Sequence, residues 1–431
     1  MALPSINVTV TNESFIVNTG EDSSTFLCGV MIPDTSEIIS ALGTTLEVQN
    51  GYLEIDSLED WWSRLSARTG NGAGYSFGGF GGFPGSSHAP EADILYHMQY
   101  PGFTEDVPLG ITATQVRWPN GPTGTWENEF YTVESYCQYG GKSVIGKKTA
   151  DPFTSINTHT LDGIFGITTG SSGDIGTALT ARDNDCLGFL NVQSLIEVAP
   201  KGESPATCVG SNANASLVYV YGSKYTLPLG QNPNKITSDA DYKEVPLSAD
   251  AAGCMSRTFR DAAPWYDPSG MIRGQILNVV KLKNPPTAAQ ANTLYDNIIN
   301  PVLAFPGYGE VLFGNKVVGG ASGDFFGSRI GVASLIIYLK KQIGVYARNL
   351  LFERNDDSTR QVFINQSTSI LETVKSQNGI SDYNIVCDDT NNPTTTVNAG
   401  LFVADVFVKP YKSVEFLQIS FTNAEQATDI T

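Results

Sequence analysis

A chain of 431 residues that is 41% hydrophobic can bury a large core, so two or three domains are expected and wholesale disorder is not. Its formal net charge of −18 and pI near 4.5 repel phosphate backbones, which argues against nucleic acid as a partner. The N-terminus has neither a cationic start nor an apolar run, and no apolar stretch reads as long enough to span a bilayer, so neither a secretory leader nor membrane insertion is expected.

In chain order, Ile6, Val8 and Val10 alternate with Asn7, Thr9 and Thr11, the period of a strand. The rest of 1–24 is polar, so this strand is either an edge of the chain's own core or an arm that needs another sheet. Phe26–Ile32 reads as a short buried strand and Leu58–Leu65 as an amphipathic helix. Residues 70–85, GNGAGYSFGGFGGFPG, miss the G-x-G-x-x-G spacing of a dinucleotide loop and follow no strand. They read as an irregular loop, and the Gly, Pro and aromatic composition through Trp126 predicts a peripheral insertion over 66–125. Helical spacing returns over Phe130–Tyr139 and stops at Gly140-Gly141, ahead of a strand at Ser143–Gly146. Further strands, clearest at Ala215–Tyr221, alternate with turns and short helices, giving an α/β or α+β middle domain.

The last third predicts helix, helix, strand, turn, strand and an extended tail. Over 324–351, steps of four and three put Val332, Ile336, Leu339, Ile343, Tyr346 and Leu350 on one helix face. Tyr338, Lys341, Val345 and Arg348 share the opposite face. After the polar break Phe352–Asp357, a second helix turns Phe363, Ile370 and Val374 inward and stops at Asn378-Gly379. Tyr383–Asp388 reads as a strand, Asn391-Asn392-Pro393 as a turn and Leu401–Val408 as a buried strand. Val414, Phe416, Leu417, Ile419 and Phe421 then form a β-prone ribbon with no downstream mate.

Chemistry-bearing patterns are missing. G-x-S-x-G, P-loop, HExxH and EF-hand spacings are absent, and His88, His97 and His159 lie near no paired carboxylates. Asp356-Asp357 and Asp388-Asp389 are adjacent pairs, which point apart in turns and do not converge on one bond. Cys28, Cys137, Cys186, Cys208, Cys254 and Cys387 form no C-x-x-C pair and read as small core hydrophobes. The N-x-S/T matches at Asn7, Asn12, Asn214 and Asn365 need a secretory context. No catalytic, cofactor or metal residues, and no enzyme, are expected.

One stretch resembles a known family. Asp261-Ala262-Ala263-Pro264-Trp265-Tyr266-Asp267-Pro268-Ser269-Gly270, followed by Arg273-Gly274-Gln275-Ile276, resembles the PWxSPAGxxRG signature of contractile tail sheath proteins. Pro246–Asp250, Ala252-Gly253 and Arg257-Thr258 match the segment before it. Ile299-Asn300-Pro301, Gly309–Lys316, Leu351–Asp356, Val386–Asn392, Phe402–Asp405 and Lys409-Pro410 continue in family order. The likeness covers 240–422 and points to the sheaths of contractile-tailed (myovirus) bacteriophages. Before residue 215 it is thin, mainly Phe26–Ile32 and the Tyr136–Lys142 helix end. Where such sheaths carry N-V-R-R-L, this chain has Gly331-Val332-Ala333-Ser334-Leu335, so two family arginines are missing.

The resemblance implies a structural subunit that polymerises as stacked hexameric rings around an inner tail tube protein and contracts to drive the tube through the host envelope. Baseplate and tail terminator proteins are the further partners, and the virion, after assembly in the host cytoplasm, is the location. The family's arms complete neighbours' sheets, a role that would fall to Ile6, Val8 and Val10 and to Val414, Phe416, Leu417, Ile419 and Phe421. Its C-terminal core lies innermost, so Lys341 and Arg348 become candidates for contact with an acidic tube surface. The expected fold is α+β and multidomain. It comprises an arm at 1–24, an α/β middle domain at 25–65 and 126–255 interrupted by the loop-rich insertion, a mixed-sheet core with packed helices at 256–409, and an arm at 410–431. The sheath of a phage-like injection or type VI secretion system is the alternative, and a capsid or host-binding structural protein the second alternative.

Overall fold

A computed structural model describes residues 26–33, 52–58, 61, 127–148, 161–166, 172–182, 184–192, 216–227, 238, 242–318, 329–411 and 413. In order they form β1 (Leu27–Pro33), β2 (Tyr52–Ile55), α1 (Glu127–Cys137), β3 (Lys142–Lys148), β4 (Gly163–Phe165), α2 (Ser172–Ala181), β5 (Leu187–Val192) and β6 (Leu217–Tyr221). Then come β7 (Ser223–Thr226), β8 (Lys243–Pro246), α3 (Ser248–Asp261), α4 (Gly270–Arg273), β9 (Lys281–Leu282), α5 (Ala288–Asp296), β10 (Ile299–Asn300), β11 (Val302–Phe305) and β12 (Gly309–Leu312). The chain continues with α6 (Ile330–Arg348), α7 (Asp357–Ser376), β13 (Ile380–Val386), α8 (Thr394–Asn398) and β14 (Asp405–Pro410). It divides into two compact units, Met1–Arg354 and Asn355–Thr431. The expected middle domain therefore shares a unit with residues 256–354 of the expected core.

The first unit is organised by a seven-stranded sheet in the order β10-β6-β5-β4-β1-β3-β2. Every pairing is parallel except that of edge strand β2 with β3. Parallel strands are covered on both faces, which is why β5 (LGFLNV) and β6 (LVYVY) are apolar almost throughout and buried at every position. Phe189, Val218 and Val220 face α1 and α3 through Phe130, Tyr136 and Ala252. Leu190, Tyr219 and Tyr221 face α2 and α5 through Ile175, Leu179 and Leu294. At Gly222, with φ +100, the chain leaves this sheet and enters the antiparallel sheet β8-β7-β9.

Helix α6 differs from its expected two-faced form. It buries Val332, Ser334, Leu335, Ile337, Lys340 and Ile343, positions spread round most of its circumference. Tyr338, expected outward, packs edge-on to Phe259 and Trp265 at 6.4 and 5.9 Å, whereas Tyr346, expected inward, is exposed. By length and composition α6 also passes for a membrane span, contrary to the sequence expectation, but over half of it is buried in the unit. An interior helix loses the amphipathic signature because it is covered on several sides.

In the second unit α7 lies on an antiparallel ribbon of β13 and β14. Asp356 caps the helix, accepting from Thr359 N at 2.9 Å, and Asn378 ends it at φ +60. The buried row is Phe363, Ser367, Leu371 and Val374, so Leu371 takes the place expected for Ile370. The expected buried strand at Leu401–Val408 is also corrected. The strand is Asp405–Pro410, alternately exposed, and Leu401 is exposed ahead of it. A continuous apolar run was read as buried on both faces, whereas a two-stranded ribbon with one covering helix hides only one.

Candidate functional site

The signature stretch folds into a loop that holds the N-terminus of α6. Arg257 on α3 donates to the carbonyls of Arg273 and Gln275, the latter at 2.8 Å. Arg273 donates to Asp267 O at 2.8 Å and lies over the Tyr266 ring. Asp267 then accepts from Gly331 N at 2.8 Å and from Asn315 Nδ2 at 3.0 Å. Arg329 occupies the N-cap position without a side-chain cap, so Asp267, 64 positions upstream of Gly331, places its charge where the helix dipole favours an anion. A Cβ on Gly331 would sit 2.7 Å from Trp265 O and 3.0 Å from Asp267 Oδ1. Gly331→Ala should therefore cost about 1–3 kcal/mol by forcing the loop off the helix, read as a lower thermal midpoint. An unchanged midpoint would mean that the loop yields freely. At the missing arginine pair, Ala333 packs against the core and Ser334 is buried.

A second knot closes the β10 edge of the large sheet. Asn300 Nδ2 donates to Tyr219 O and to Lys316 O, both at 2.9 Å, while its Oδ1 accepts from Lys316 N at 2.8 Å. Lys316 Nζ donates to Tyr295 O at 2.7 Å and lies 3.9 Å from that ring's centroid. The carboxamide thus does the work of a further strand. Asn300→Ala should strand these main-chain groups at about 1–3 kcal/mol each. The check is loss of hydrogen-exchange protection at Lys316 N; retained protection would mean another acceptor had replaced the side chain.

Lys341 does not stand on a solvated face. Its Nζ is 2.5 Å from Asp162 Oδ1 and 2.7 Å from Leu161 O, with side chains 15% and 18% exposed. Asp162 in turn accepts from Leu27 N at 3.0 Å, so α6 is tied to the start of β1. Arg348, the last residue of α6, is half-buried, and burial lowers its pKa.

The ribbon unit carries the other motif residues. Asn392 exchanges bonds with Val403, donating to its O at 2.6 Å and accepting from its N at 2.8 Å. Asp388 closes its turn on Thr390 N at 2.8 Å, and the bonds to Thr390 hold its carboxyl below the usual range. Asp389 and Asp357 both bond Arg360, at 2.6 and 3.2 Å. The adjacent carboxylates serve a cap, a turn and one guanidinium, and do not face a common substrate position. Among the described residues no group of three His, Cys, Asp or Glu could hold a metal. The five described cysteines are free and buried, and burial pushes Cys186 and Cys254 up to about 12; the three histidines and Cys208 lie outside the described residues. Among those residues β13 and β14 pair only with each other, leaving both outer edges without a strand. The arm residues Ile6, Val8, Val10, Val414, Phe416, Leu417, Ile419 and Phe421 lie outside the described residues.

Residues 328–422 match the family model "Phage tail sheath C-terminal domain". Over these residues the chain is similar to the C-terminal domain of phage tail sheath proteins. The chain is 38% identical over 185 residues to the tail sheath protein of Vibrio phage KVP40, covering 43% of this chain and 27% of that one. It is 37% identical over 185 residues to that of Enterobacteria phage T4, covering 43% and 28%. The chain thus spans little more than a quarter of the length of these sheath relatives. Solved structures share its fold at 14% identity. One is a chain of the anti-feeding prophage baseplate, with TM-score 0.60 over 99% of this chain and 100% of that one. Another is the PVC sheath complex of an extracellular contractile injection system in its contracted state, with TM-score 0.64 over 98% of both. Sequence reasoning placed the sheath motifs; it missed Asp267 and Asn300 as the residues that tie them, and Asp162, which no motif marks.

Proposed function

We propose that this chain is the sheath subunit of a contractile bacteriophage tail, which stacks as hexameric rings around an inner tube and contracts without chemistry. The two-stranded ribbon, whose outer edges carry no further strand among the described residues, carries this reading. Its main-chain donors and acceptors ask for added strands, and the chain offers β-prone segments at 6–10 and 414–421. Head-to-tail strand exchange of this kind propagates into open helical arrays. Each added hydrogen bond contributes about 0.5–1.5 kcal/mol net, enough in sum to keep subunits linked while ring packing changes. Contraction is driven by newly buried apolar surface, at about 25 cal/mol per Å².

The inner tube, baseplate and terminator proteins are the partners, with assembly in the host cytoplasm. Of the two candidates for tube contact, Lys341 is engaged by Asp162, and Arg348, at the end of α6, is the one carried forward. Identity to phage sheaths in the C-terminal region favours the phage over an injection system. The test is negative-stain microscopy of purified chain, in which hollow tubes are expected. Deletion of 1–25 or 414–431 should leave folded subunits that form none. Closed shells, or tubes formed equally well without either arm, would refute the reading.

A further inference from the structure

Phe352 has the most exposed large apolar side chain among the described residues, at 87%, and its backbone stands at φ +71. A bulky residue in the left-handed region is an outlier, and strain of this kind persists where function holds it. For the isolated subunit glycine would serve better there. Near it in sequence stand Arg348 and Arg354 against Glu353, and the last turns of α6 expose Val345 and Tyr346. The ribbon unit offers the complement. Phe407 on β14 and Tyr411, just past its end, are 56% and 54% exposed, and both continue the alternation that turns Asp405 and Lys409 outward. Residues 355–411 hold seven acidic side chains against three basic.

We infer that Phe352, flanked by Arg354, is an anchor that docks on the outward aromatic face of the β13–β14 ribbon of a second copy of this chain. The contact uses the ribbon's face and leaves its edges to the arms, and it rests on the sheath reading only in taking the neighbour to be another copy. It joins two different patches, so each added copy presents the next site. Opposite charge sets the orientation, and the buried ring supplies the affinity.

Phe352→Gly separates anchor from scaffold, because it deletes the ring and relieves the backbone. The variant should melt at or above the wild-type temperature, yet need about tenfold more protein before tubes appear, the loss expected for one buried aromatic contact. Phe352→Leu should restore much of the assembly. Mixing Phe352→Cys with Phe407→Cys under oxidation should give a heterodimer absent from either variant alone. Tubes from Phe352→Gly at wild-type concentration, or no cross-link in the mixture, would overturn the inference. So would a Phe352→Cys cross-link to co-expressed tube protein. If the wild-type chain forms no tubes, the sheath reading fails, while the cysteine pair still reports on the contact in concentrated solution.

Discussion

Replacing Lys224 with Met should destabilise the first unit by about 3–5 kcal/mol, because it leaves a buried carboxylate uncompensated. Lys224 and Asp250 are both 0% exposed, with Nζ 2.7 Å from Oδ1. Nζ also donates to Leu277 O at 2.8 Å. Tyr139 donates to the same carboxylate oxygen at 2.9 Å and accepts from Leu277 N at 2.9 Å. Burial lifts the Asp250 carboxyl above its ordinary range, and Lys224 draws it back. Asp250 Oδ2 has no hydrogen-bond partner, so the site has no slack for losing its cation. The double variant Lys224→Met, Asp250→Leu should recover part of the loss, since it removes the uncompensated charge but takes a partner from Leu277 O and from Tyr139 OH. Urea unfolding followed by fluorescence reads both. A single variant within about 1 kcal/mol of wild type would show that water reaches the pair.

Reversing Lys341 to Glu should be of similar size, about 3–5 kcal/mol, for a related reason. The new carboxylate would meet Asp162 at the start of the parallel sheet, where both side chains are more than four-fifths covered. Arg348→Glu, near the helix end, should cost about 1 kcal/mol or less, the scale of exposed pairs. The comparison also disentangles tube binding from folding. Loss of tube association in Arg348→Glu with an unchanged melting midpoint would support a tube contact, whereas loss in Lys341→Glu alone would report only a damaged fold.

The strands at Phe26–Ile32, Ser143–Gly146 and Ala215–Tyr221, and the helices at Phe130–Tyr139 and 357–376, were legible because period and terminators agree locally. The face of α6 was legible only in part: Val332, Leu339 and Ile343 are buried as expected, but Tyr338 packs inward and Tyr346 is exposed, since an interior helix shows no polar stripe. Leu401–Val408 misled because an apolar run does not say how many of its faces find cover.

By itself the sequence determined the motif order from Pro246 to Pro410, the helical and strand periods, and the absence of catalytic spacing, because these reside in side-chain type and local repeat. Only the tertiary structure decided that Asp267 caps a helix 64 positions away, that Asn300 closes a sheet edge, and that Lys341 belongs to Asp162. Such partners meet through chain crossings that leave no local pattern, and burial alone makes their bonds costly to lose.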